Sequence, residues 1–103
     1  MNNRTIGTIT KNLIKTKELI NTPDKWIQNL YSNEAHTKFC MLGALMEILT
    51  DQNYASVGKS LEYNCMFEAC DEDPVYQFND THSHEEVMEA MNRAIDISIR
   101  NSL

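Results

Sequence analysis

The chain has little that bends or cross-links a backbone. Three glycines and two prolines in 103 residues argue for regular elements joined by short loops. Three cysteines, an odd and small number, exclude a disulfide-dense secreted scaffold and fit free thiols in a reducing cytosol. No apolar run approaches the roughly 20 residues that a membrane span needs, because Glu47 and Asp51 cut the longest one. The opening MNNRTIGTITKNL has no apolar core of the kind a signal peptide carries. Basic residues are also scarce, nine against fifteen acidic, for a net charge of −6. Neutralising phosphates takes clustered Lys and Arg, so direct nucleic-acid binding is not expected. These absences describe a cytoplasmic protein, off the membrane and without a cofactor.

What is present is ordinary for one globular domain over residues 1–103: 42% hydrophobic and 23% charged. The charge is uneven. Residues 1–25 hold five basic side chains and two acidic, whereas the remainder holds four basic and thirteen acidic. Such an acidic body suits solubility, or a basic protein partner.

Periodicity gives a mainly α-helical fold, a compact bundle of about four helices. Residues 4–21 read as the first, with Ile6, Ile9, Leu13, Ile14 and Ile20 on a broad inner face; Gly7 and the threonines Thr5, Thr8 and Thr10 weaken its first turn. Pro23 then breaks it. Trp26–Tyr31 reads as half a hairpin with SNEAH as its turn, paired with a short strand at Val75–Phe78; a short helix from Pro23 to Leu30 fits almost as well. A second helix covers 38–51 behind a Thr37 cap, and its apolar side chains surround it, as expected of a central core element. A third covers 56–70 with Ser56 as cap, and the fourth runs from Ser83 to about Arg100, where Ser83 and Glu86 form a capping box. Met41, Met46, Met66, Met88 and Met91 fall mostly at core positions, where methionine fills gaps; on an exposed face they would suit a homodimer.

Three constellations could carry function. Cys40 stands at a helix start, where the dipole favours a thiolate, and His36, His82 or His84 with Asp80 would complete a cysteine enzyme. Its neighbours Phe39, Met41 and Leu42 give the competing reading of a small core residue, and Gly43 reads as a gap that lets Trp26 or the last helix come close. Cys65, Cys70, His82 and His84 are zinc-ligand types, giving a zinc-stabilised interaction domain as another reading, but at C-x4-C and H-x-H spacing rather than C-x2-C. Asn79 and Asp80 read as turn-fixing residues, with Asp80 also able to cap the second helix. Finally, Glu62, Glu68, Asp71, Glu72, Asp73, Glu85, Glu86 and Glu89 form an acidic rim. Three of them follow a helix C-terminus, where the macrodipole disfavours them, and this marks the rim as a binding surface.

Trp26, Cys40, Gly43, Ala44, Leu45, Asn79, Asp80, Val87, Ala94 and Ile95 together resemble the pattern of an uncharacterised domain of small bacterial and phage proteins, over about residues 11–97. Phe78 stands where that pattern has tryptophan, and the middle helix is shorter and more acidic. The resemblance implies a phage or bacterial context and brings no chemistry with it. The expectation is a non-catalytic phage-type or mobile-element protein that docks its acidic rim on a basic host protein, an inhibitor of a nucleic-acid-handling defence complex.

Overall fold

Thr10, Leu13 and Thr16, each three residues from the next, turn inward on one stripe of the first helix, α1 (Thr8–Leu19). The computed structural model describes residues 6–103. The expected start at residue 4, and Thr5 with it, lie outside the described residues, and Ile6 is exposed rather than inward. Gly7 caps α1, and a Cβ there would sit 1.9 Å from the Leu103 carbonyl oxygen, which accepts the Ile9 amide at 3.0 Å.

Among the described residues the chain forms six α-helices and no strand. After α1 and a single 3-10 turn at Pro23–Lys25 come α2 (Met41–Leu49), α3 (Tyr54–Val57), α4 (Leu61–Ala69), α5 (Val75–Thr81) and α6 (His84–Arg100). The core is shared by α1, α2, α4 and α6, and α5 packs beneath α2. Six of the nine residues of α2 are buried, which makes it the central helix as expected.

Four expectations are corrected. The hairpin is absent: Trp26 and Ser32 each make only an isolated bridge to Phe39, and the segment between is an irregular loop closed by Asn33, whose Oδ1 accepts the Thr37 and Lys38 amides. Residues 75–78 belong to α5, because burial of Val75, Phe78 and Asn79 follows helical spacing and Pro74 presets the entry. Helix α2 starts at Met41 with Cys40, not Thr37, as its cap. The expected third helix is two, since Ser60 rather than Ser56 caps α4 and Asn53 caps α3. The Ser83–Glu86 capping box of α6 is formed as expected.

Polar side chains tie the helices where apolar contact alone would slide. Ser98 donates to the Ile95 carbonyl at 2.7 Å, so the buried Thr10–Ser98 bond, also 2.7 Å, has Thr10 as donor. Asn12 on α1 donates to Glu62 on α4 at 2.7 Å, and Arg93 on α6 donates through Nε and Nη2 to the Ala69 carbonyl at the end of α4.

Candidate functional site

The N-terminus of α2 is where the loop 26–40 and α5 meet. Asn79 is fully buried and satisfied on all sides. Its Oδ1 accepts the Trp26 indole N–H at 2.6 Å and the Met41 amide at 3.0 Å, while its Nδ2 donates to the Ile27 carbonyl and to Asp80, both at 3.1 Å. Asp80 Oδ1 accepts the Asn29 amide at 2.8 Å. Thus Asn79, not Asp80, holds the start of α2. Gly43 leaves space for a backbone, not for Trp26 or α6: a Cβ there would lie 1.9 Å from the Tyr31 carbonyl oxygen, which also accepts the Cys40 amide at 3.1 Å.

This buttress forms one wall of an open cleft of about 500 Å³, lined by Asn29, Leu30, Tyr31, Cys40, Tyr54, Tyr76 and Asp80. Leu30, Tyr31, Tyr54 and Tyr76 come from the loop, α3 and α5, and all four remain substantially exposed although large and apolar. The Tyr31 and Tyr54 rings are near-parallel, centroids 6.5 Å apart. Tyr76 and Asp80 are one helical turn apart on α5 and so share its cleft-facing side. Partial desolvation at the cleft wall, with Tyr54 close by, pushes the Tyr31 phenol up, so it stays neutral at physiological pH. Asp80 is the one charged side chain in the lining, and both hydrogen bonds it accepts fall on Oδ1, leaving Oδ2 without a protein donor among the described residues.

The structure brings Cys40 and Asp80 together at this cleft but not the histidines. His82 Nδ1 is 2.8 Å from the Phe78 carbonyl with its ring stacked on Phe78; His84 Nε2 is 2.7 Å from the Ile20 carbonyl, its ring against Trp26; exposed His36 approaches Glu47 at 3.9 Å. The Cys40 sulfur accepts the Gly43 amide at 3.2 Å, and burial pushes its thiol pKa up against the lowering effect of that bond. Cys65 and Cys70 are buried in the core, and among the described residues no three His, Cys, Asp or Glu side chains gather as a metal site would require. Burial raises the Cys65 thiol and carries the Cys70 thiol to about 12.

Of the acidic rim, Glu68, Asp71, Glu72, Asp73, Glu85, Glu86 and Glu89 are exposed. Glu62 is not: it is buried against α1 and held by Asn12. Glu86 Oε1 accepts the Ser83 amide and hydroxyl, which lowers its pKa. Arg93 places its guanidinium on the Ala69 carbonyl at the end of α4 and offsets the dipole there. The tyrosine cleft was not legible as a site in the sequence, since its residues are scattered over three elements. The one available signal was the Tyr76–Asp80 spacing, hidden by reading α5 as a strand.

A family of unknown function (DUF6197) matches residues 5–97, and the chain belongs to it. The resemblance read from the chain was likewise to an uncharacterised domain, over nearly the same span. No curated protein matches the chain. No solved structure matches it either.

Proposed function

We propose that this DUF6197 member is a non-catalytic binding protein that docks a basic protein partner on its acidic rim. The observation that carries the reading is the lack of internal neutralisation. Among the described residues the acids make one ion pair, His36–Glu47 at 3.9 Å, and none with Lys or Arg. Glu68, Asp71, Glu72 and Asp73 gather at the α4–α6 junction, Glu89 lies one turn before Arg93, and Glu85, in the first turn of α6, lies about 12 Å from Arg93 along the helix axis. An unpaired field of one sign steers an oppositely charged partner and is screened by salt.

Surfaces that handle nucleic acid are basic, so a host complex of that kind fits such a rim, and a phage-type or mobile-element inhibitor is the role this chemistry suits. The test is capture from host lysate at about 50 mM and about 500 mM salt, which span a large change in screening length. Wild type is compared with Asp71→Asn/Glu72→Gln/Asp73→Asn/Glu85→Gln. A partner rich in Lys and Arg, held at low salt, released at high salt and lost by the variant, is expected. Equal retention by the variant removes the rim from the interface.

A further inference from the structure

We infer that the tyrosine cleft is the specificity pocket of this interface and receives an arginine side chain of the partner. The inference rests on the proposed docking of a basic protein and adds where one of its residues enters. Among the described residues the cleft carries a single charge, the Asp80 carboxylate, and no cation lines it. Tyr31, Tyr54 and Tyr76 supply aromatic faces around that charge, and a cation within about 6 Å of a ring centroid is attracted by the ring quadrupole. A guanidinium suits both features, since it stacks on aromatic faces and forks onto a carboxylate, whereas an ammonium is a compact, strongly hydrated point charge. Asp80 is preorganised for this: the Asn29 amide and the Asn79 side chain hold Oδ1, and Oδ2 carries no protein donor among the described residues. Tyr76 of the cleft also follows Asp73 of the rim by three residues in the chain, across Pro74.

The test is an NMR titration of the full chain with a capped Gly-Arg-Gly peptide, with Gly-Lys-Gly and Gly-Gln-Gly peptides as comparisons. Saturable shifts of the Asn29, Tyr31 and Asp80 amides are expected with the arginine peptide, binding at least about fivefold tighter than the lysine peptide, the order of effect of a stacked and forked contact. The glutamine peptide should leave the cleft unshifted. Asp80→Asn keeps the acceptor for Asn29 and removes the charge, and Tyr76→Ala removes an exposed ring; each should weaken arginine binding by about fivefold or more. Equal affinity for lysine, or arginine binding unchanged in both variants, overturns the assignment. The two readings fail separately. Cleft shifts that persist in the quadruple rim variant, while that variant still captures the partner, sink the rim and leave the cleft; absence of cleft shifts sinks the cleft alone.

Discussion

Asn79 decides more of this structure than any other polar side chain. It is fully buried, and its Oδ1 receives both the Trp26 indole and the Met41 amide. Truncation would leave two donors without a partner in a closed environment, and each such group costs about 1–3 kcal/mol. Asn79→Ala should therefore destabilise by roughly 3 kcal/mol, read by urea unfolding, with a red shift of Trp26 fluorescence in the native state; a loss below about 1 kcal/mol would mean water replaces the side chain. The three thiols behave as the opposite kind of residue. Cys40, Cys65 and Cys70 are all buried and all shifted upward by burial. A group whose folded pKa exceeds its unfolded value stabilises fully below the unfolded pKa and loses that contribution as pH rises. For thiols the unfolded value is about 8.5, so stability should hold at neutral pH and fall above about pH 9, in step with thiolate formation in the unfolded chain. Urea midpoints between pH 7 and 10 test the sign. Iodoacetamide at pH 7 should label the native protein slowly at all three positions, and rapid labelling of Cys40 alone would restore the cysteine-enzyme reading.

Elements show which parts of the fold were legible in the sequence. Helices α1 and α6 were read because each carries a helical stripe of apolar residues or a cap the pattern exposes, as Ser83 and Glu86 do for α6, and α2 because its apolar run is long enough for a buried helix although its cap was misplaced. Helix α5 was missed because Val75, Tyr76 and Phe78 have strand propensity, and in seven residues the burial of Val75, Phe78 and Asn79 overrides it. The loop 26–40 was half read. Its turn was expected, but its fixing depends on Asn79, more than 50 positions away in sequence for the Trp26 bond, and local pattern holds no trace of such a contact. Gly43 was assigned the right role with the wrong neighbour, and the neighbour sets the size of the effect. Helix propensity alone would have Gly43→Ala gain about 1 kcal/mol. A Cβ 1.9 Å from the Tyr31 carbonyl oxygen would instead meet backbone that is already bonded to the Cys40 amide. The variant should lose roughly 2 kcal/mol or more and release the loop, read as a lower melting temperature together with faster amide exchange at Cys40. A more stable variant would show that the loop moves freely.

At the scale of the whole molecule, stability and the proposed function pull on the same charges in opposite directions. The Cα radius of gyration is 12.9 Å, which is what a compact chain of this length gives, so the fold confines a net charge of −6 to a small surface. The acids after α4 are the least favourable part of that arrangement. They stand at a helix C-terminus, and Asp71 and Glu72 both hold left-handed backbone, with φ of 58° and 64°. Each helix-end acid costs about 0.3–1 kcal/mol at low salt, and a left-handed non-glycine residue costs about 1–2 kcal/mol, less for Asn and Asp. Arg93 offsets one part of this by bonding the Ala69 carbonyl. Removing three charges in Asp71→Asn/Glu72→Gln/Asp73→Asn, with asparagine suited to the left-handed position at 71, should stabilise by about 1 kcal/mol. For a domain of about 100 residues that raises the melting temperature by about 4–8 °C. The gain should be largest in low salt and shrink as added salt screens the same repulsion in wild type. A binding rim predicts that this more stable protein captures the basic partner less well, because the surface was shaped for association and not for folding. If the triple variant is instead less stable in low salt, the acids are making favourable contacts within the fold, and the loss of partner would then follow from a disturbed α4–α6 junction rather than from a missing field.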